Sequence, residues 1–228
     1  MQACRTEELF DLSHTLAAPL LARFPWPWQA LDGLADFLLT LGESLPAGEY
    51  NSPAPGVWVA KTARVAPTAF LGAPCLVGPG AEVRHCAFIR GAALVGAGAV
   101  VGNSVELKNC ILFNGAQAPH FNYIGDSILG HKAHLGAGAV TSNLKSDKSP
   151  VVIRGAECQL ATGRKKLGAL VGDGAEVGCN SVLCPGAVLG KNSQVYPASC
   201  VRGVVPAGHI FKGPGQVVKR ILNFEEGR

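Results

Sequence analysis

The chain has 228 residues, 48% hydrophobic and 16% charged, with 29 Gly, 15 Pro and a formal net charge of +4. That hydrophobic share excludes a disordered polypeptide. So modest a positive charge, with basic residues not interleaved with aromatics, argues against a nucleic-acid binder and for a small anionic ligand at most.

The opening stretch, MQACRTEELFDL, carries acidic residues where a secretory signal would carry positive ones, and the apolar run after it is broken by His14, Pro19 and Arg23. Neither a signal peptide nor a membrane span is expected. Leu31, Leu34, Leu38 and Leu41 recur on one face of a helix, and Glu7 to Arg23 reads as another, with FPWPW as the bend. Residues 1–50 are therefore expected to be a helical segment and linker, packing on the first coils of the repeat region and covering their exposed edge. LPAGEYNSPAPG reads as the linker.

From Val59 every sixth residue is aliphatic: Val59, Val65, Leu71, Val77, Val83, Ile89, Val95, Val101 and Leu107, then Phe113. The residue four places after each is small, as in Ala63, Ala69, Cys75, Ala81, Ala87, Ala93 and Ala99. Large and small residues two apart, renewed every six residues, specify short strands whose inward positions alternate. Three such units make one triangular coil of a parallel β-helix, and coils stack about 4.8 Å apart. Residues 18 apart then lie above one another on the same face.

That geometry stacks Arg90 on Lys108 on the outside of adjacent coils. Two stacked cations are either a solvated surface pair or a clamp for an anion such as phosphate. Between Phe113 and Leu129 the repeat is two residues short, and the slip is expected in PHFNYIGDSILG, where Pro119 takes an anchor position and His120, Asn122 and Tyr123 cluster. A repeat that loses register exposes polar side chains, and His120 beside Tyr123 is the candidate general base.

After Thr141 a lysine-rich insertion, residues 142–170, interrupts the repeat and is expected to project as a functional or partner-contacting loop. Lys145, Lys148, Arg164, Lys165 and Lys166 either line a path for an anion or serve solubility. Regular coils resume at Val171 and end near residue 215, and 216–228 reads as a short helix over the last coil. The eight cysteines contain no CxxC, so they read as reduced thiols of a cytoplasmic protein, with no zinc site at Cys179 and Cys184.

The stretch Phe88 to Thr141 resembles the acetyltransferase domain of the bifunctional N-acetylglucosamine-1-phosphate uridyltransferase/glucosamine-1-phosphate acetyltransferase family, and the similar domain of archaeal sugar-1-phosphate nucleotidylyltransferases. Arg90, Glu106, Lys108, His120 and Tyr123 match its spacing, and GAGAVTSN, ending at Asn143, matches its GAGT-type turn. The resemblance implies a left-handed parallel β-helix over residues 57–215, mainly β, with the N-terminal helical segment appended. It implies a homotrimer with sites between subunits, acetyl-CoA as cosubstrate, no metal for acetyl transfer, and an amino-sugar 1-phosphate (glucosamine or galactosamine 1-phosphate) as acceptor on the route to a UDP-N-acetylhexosamine. Arg90 and Lys108 would hold the phosphate, Tyr123 and Asn143 the sugar, and Glu106 would orient the site. His120 would take the amine proton. His134 stands where the family has Asn, and Lys148 is the counterpart of a loop lysine. Gly136, Ala137 and Gly138 would offer a backbone N–H to the oxyanion, and Lys212 would meet the coenzyme's 3′-phosphate. The family's nucleotidyltransferase domain, with its LxxGxGTRM-like start, has no match here, so pyrophosphorylase activity is not expected. The alternatives are an acyltransferase for another acceptor, a metal-dependent hydratase using His120, His131 and His134, and a non-catalytic trimeric scaffold or regulatory partner of a sugar nucleotidyltransferase.

Overall fold

A computed structural model describes residues 2–155 and 159–221. Its body is the expected parallel β-helix. On one face the inward residues run Val59, Val77, Val95, Leu112, Leu129, Val171, Leu189 and Val205, each paired with the next. This makes about eight turns. Inside the prism the large anchors alternate with Ala81, Ala87, Ala93 and Ala99, all buried, because three converging walls leave room for one large and one small side chain per wall.

The register is lost in two steps, one inside the expected PHFNYIGDSILG stretch, at Asp126, and one before it, at Asn109. Val95 pairs with Leu112 and Leu112 with Leu129, so two successive coils have 17 residues in place of 18. In both, one strand runs on around the same corner, Glu106–Leu112 and Tyr123–Leu129. The bend is taken by Asn109 and Asp126, each at φ 48°, residue types that tolerate the left-handed region. Leu112 is therefore the inward anchor and Phe113 points out, its ring packed at a tilt against Phe10 with centroids 5.1 Å apart. Ala118 takes the anchor position expected of Pro119.

The outer surface of this first face, Leu76, Leu94, Ile111, Ile128, Leu170 and Val188, is apolar and buried under the N-terminal segment. That segment is more broken than expected. It has short helices Thr6–Leu9 and Ala18–Leu21, a 3-10 turn Pro27–Asp32, and one longer helix Leu34–Glu43 that buries Leu34 and Leu38. Pro19, Pro25 and Pro27 deny a single long helix its hydrogen bonds. The segment covers a side of the prism and not its first edge, reaching the middle coils through Asp173, whose backbone N donates to Leu9 O at 3.1 Å and whose carboxylate accepts from Asp11 N at 2.7 Å.

The first edge is closed by the strand Tyr50–Ala54, antiparallel to Val57–Ala60, within the stretch expected to be a linker. At the other end Gln216–Lys219 is a strand antiparallel to His209–Gly213, in place of the expected helix. Both hairpins give the terminal coil's backbone groups a partner. The rest of the tail, 222–228, lies outside the described residues.

The insertion folds back and does not project freely. Val152–Arg154 and Gln159–Ala161 form a hairpin, and Val151, Ile153 and Leu167 join the apolar layer beneath the N-terminal segment. Leu129 still pairs with Val171 across it. Ser127 and Thr141 mend the seam: Ser127 Oγ donates to Gly125 O at 2.7 Å and accepts from Ala169 N at 2.9 Å, and Thr141 Oγ1 accepts from Gly125 N at 3.0 Å.

Candidate functional site

Another face of the prism carries the charges. Its outward column before the anchors is Phe70, Phe88, Glu106, Tyr123, Val140, Val182 and Cys200, in register from coil to coil. Arg90 and Lys108 come directly after consecutive anchors Ile89 and Leu107, which pair, and Lys108 pairs onward with Gly125. The repeat thus stacks the two cations as expected.

Each cation has a carboxylate of the same chain. Arg90 bonds Glu106 at 2.8 Å, and Lys108 bonds Asp126 at 3.2 Å. Glu106 raises the Arg90 guanidinium's hold on its proton. Asp126 is 3% exposed and gathers more: it accepts from Asn109 Nδ2 at 2.8 Å and Asn143 Nδ2 at 2.6 Å, with Arg164 4.0 Å away. Asn143 also donates to the Tyr123 hydroxyl at 3.2 Å. Gly125 makes room for this arrangement, because a Cβ there would run into the Tyr123 hydroxyl. Burial first, then the nearby Glu106 and Asp126 charges, raises the Tyr123 phenol above its ordinary range.

Arg90, Glu106, Lys108, Tyr123 and Asn143 therefore form one cluster, with Asp126, Asn109 and Arg164 as members that sequence reasoning missed. Arg164 also bonds Asp32, tying the cluster to the N-terminal segment. The missed signal was Asp126: it sits 18 residues after Lys108, one coil away in the ideal repeat.

The remaining candidates lie outside this cluster. His120 ends the strand Gln117–His120 on the adjoining face, exposed at the corner that leads to Tyr123. Among the described residues its ring makes no hydrogen bond. Asn122 does not join it on the surface: the side chain turns inward, 2% exposed, and donates to Gly136 O and Ala139 O. His134 is on that adjoining face too, with Nδ1 2.9 Å from Glu176. His131 stacks on His14, ring centroids 3.8 Å apart. Among the described residues no three metal-binding side chains converge, so His120, His131 and His134 form no common site.

In the Gly136-Ala137-Gly138 turn, Gly136 N donates to Val177 O and Gly138 N to His120 O. Only the Ala137 N–H of the three has no acceptor among the described residues. Lys148 is exposed in the insertion, and Lys212 lies over the Tyr196 ring on the last coil, 5.6 Å from its centroid. Lys145 pairs with Asp147 at 3.3 Å. It also lines a groove of about 500 Å3 between the insertion and the charged face, with Arg154, Val182, Cys184 and Arg202.

The fold is that of a hexapeptide-repeat β-helix, and comparison with known proteins gives its relatives. Residues 71–164 match the GMPPB C-terminal domain family. The chain is 33% identical over 97 residues to the bifunctional sugar-1-phosphate nucleotidylyltransferase/acetyltransferase of Sulfurisphaera tokodaii, covering 42% of this chain and 24% of that protein. It is 31% identical over 106 residues to the bifunctional protein GlmU of Methanococcus vannielii, covering 45% and 25%. The resemblance to this group of nucleotidylyltransferase/acetyltransferases thus holds, while the chain spans about a quarter of the length of these relatives. Among solved structures, the polySia-specific acetyltransferase NeuO matches at 11% identity with a TM-score of 0.45, over 72% of this chain and 84% of that one. The PglB acetyltransferase domain of Neisseria gonorrhoeae, solved with acetyl coenzyme A, matches at 14% and 0.32, over 71% and 56%. No helix among the described residues is long and apolar enough to cross a membrane.

Proposed function

We propose that the protein is an acetyl-CoA-dependent N-acetyltransferase of the hexapeptide type whose acceptor is an amino-sugar 1-phosphate, glucosamine or galactosamine 1-phosphate. The observation that carries the reading is the cluster of Arg90, Glu106, Lys108, Tyr123 and Asn143 on one outer face, in a chain similar to a protein named as a nucleotidylyltransferase/acetyltransferase.

Arg90 is the principal phosphate ligand. Its side chain is 48% exposed, and an exposed ion pair is worth at most about 1 kcal/mol, so a phosphate dianion displaces Glu106 readily. Lys108 is held by buried Asp126 and contributes charge to the site without leaving that partner. The Tyr123 hydroxyl and the Asn143 amide orient the sugar. His120, exposed and with no ring hydrogen bond among the described residues, accepts the proton as the amine nitrogen attacks the thioester carbonyl, and the Ala137 N–H donates to the carbonyl oxygen as charge builds there. His120 faces around the corner from the cluster, so the site is completed in a groove between copies of the chain, in a homotrimer. The coenzyme enters as a cosubstrate.

One observation favours a second reading. Both cations already have carboxylate partners, as they would in a non-catalytic scaffold. The deciding experiment measures thiol release from acetyl-CoA with glucosamine 1-phosphate and galactosamine 1-phosphate, for wild type and His120→Ala. Turnover that requires the 1-phosphate and disappears in the variant supports the enzyme. Acetyl-CoA binding without turnover means another acceptor, and no binding means the scaffold.

A further inference from the structure

Two cysteines outside the proposed acetyl-transfer chemistry meet on the charged face. Val182 pairs with Cys200 across adjacent coils, and Cys184 lies two residues beyond Val182. Strand alternation points both cysteines outward, since Leu183 and Val201 between them are buried anchors. Their Sγ atoms stand 3.4 Å apart, and Arg202, opposite Cys184 in the register that pairs Leu183 with Val201, lines the same groove as Cys184; Cys200 and Cys184 raise the Arg202 guanidinium's hold on its proton. Diagonal neighbours on adjacent strands are within reach of each other's side chains.

Their surroundings differ. Cys200 is exposed, while Cys184 is half-buried and lines the groove beneath the insertion, as Arg202 does. Burial first, then the bond to Cys200, pushes the Cys184 thiol up. Cys4, Cys75 and Cys110, by contrast, are buried, out of an oxidant's reach.

We propose that Cys184 and Cys200 are a redox pair that closes to an intrachain disulfide under peroxide, and that closure frees the Arg202 guanidinium toward the groove. Exposed Cys200 reacts first. Its sulfur attacks one peroxide oxygen, the O–O bond breaks, and the second oxygen leaves as water with the thiol proton, giving a sulfenic acid. The Cys184 sulfur then attacks that of Cys200, the S–O bond breaks, and the hydroxyl leaves as water with the Cys184 proton. Two thiols lose two electrons in all, and one peroxide becomes two waters. The sulfurs close from 3.4 Å to about 2.05 Å. Arg202 loses two polarisable thiol partners and gains freedom at the groove wall.

The test treats the full chain with hydrogen peroxide, then alkylation and peptide mapping, with circular dichroism to check that each variant is folded. A dithiothreitol-reversible link between the Cys184 and Cys200 peptides is expected, and it is absent from Cys184→Ser and Cys200→Ser. In Cys184→Ser the Cys200 sulfur proceeds to sulfinic acid. Phenylglyoxal is expected to label Arg202 severalfold faster in the oxidised protein. A link to Cys86 or Cys179 in place of this one, or over-oxidation of Cys200 in wild type without a link, overturns the pair. Unchanged labelling of Arg202 overturns its release.

Discussion

Asn143 Nδ2 lies 2.6 Å from Asp126 Oδ2, so the residue that touches the Tyr123 hydroxyl is itself held by a buried carboxylate of the neighbouring coil. Asp126 thereby positions one proposed sugar contact and one proposed phosphate contact together, without facing solvent. Asp126→Ala leaves Lys108, Asn109 and Asn143 without their acceptor. We expect a loss of about 3 kcal/mol, as for other broken buried pairs, read as a lower urea midpoint at unchanged slope; a loss under about 0.5 kcal/mol would remove Asp126 from this role.

Arg90 and Lys108 are expected to separate in mutagenesis. Arg90→Ala, at an exposed pair, should change stability by less than about 0.5 kcal/mol yet raise KM for the sugar phosphate at least about tenfold. Lys108→Ala should cost stability as well, because it leaves the buried Asp126 carboxylate with no cation nearer than Arg164 at 4.0 Å. Equal effects of the two on the urea midpoint would show that Asp126 does not distinguish them.

Gly125→Ala removes no functional group but places a methyl against the Tyr123 hydroxyl and the Asn143 amide. Gly125 is not among the positive-φ positions, so backbone strain is not the reason. Displacement of the Tyr123 ring should appear as a changed near-ultraviolet dichroism and a loss of kcat greater than that of Tyr123→Phe. Wild-type kcat in Gly125→Ala would argue against a role for this geometry.

Burial, and then the Glu106 and Asp126 charges, lifts the Tyr123 phenol above its ordinary value of 10.0. A phenol that ionises later in the folded chain favours folding while it is protonated; that contribution is complete below pH 10 and is lost as the pH rises through the folded value. Absorbance titration at 295 nm should therefore lose a component ionising above pH 10 in Tyr123→Phe. The wild-type stability should also fall more steeply than the variant's in the same range.

Removing residues 2–44 uncovers Leu76, Leu94, Ile111, Ile128, Leu170 and Val188, all fully buried. Each such side chain is worth about 1.5–3 kcal/mol on burial, against a net stability of about 5–15 kcal/mol for a whole domain. The shortened chain should be insoluble or bind 1-anilinonaphthalene-8-sulfonate strongly. A soluble, dye-silent product would mean that this face is covered by something else.

The β-helix was legible because its physics is periodic: anchors such as Val77 and Val95 repeat wherever the walls converge. What the period could not locate was the first of its two interruptions, at Asn109. A strand carried round a corner on Asn109 or Asp126 looks, in sequence, like a shifted anchor, and so Phe113 reads as inward although Leu112 fills that place. Stacking alone fixes Arg90 above Lys108, whereas Glu106 and Asn143 entered through the family resemblance. Asp126 stands 18 residues after Lys108, but the period does not say that an acid there turns at a corner and is buried, and the terminal strands Tyr50–Ala54 and Gln216–Lys219 escaped because they form only to finish an edge. His120, His134 and Lys212 were legible as residues, but their placement on the adjoining face depends on corners that spacing does not resolve.

The cover over the first face has a consequence for assembly of the chain. The N-terminal segment leaves the ribosome before the coils it covers, yet Leu9 and Asp11 bond to Asp173 and His14 accepts from Asn114, residues made long afterwards. Coils can stack on their predecessors as they emerge, whereas this segment must wait with Leu20, Leu21, Trp28 and Leu34 uncovered until most of the prism stands. A part made before the coils docks after them, and its idle interval is when the nascent protein most needs protection from its neighbours.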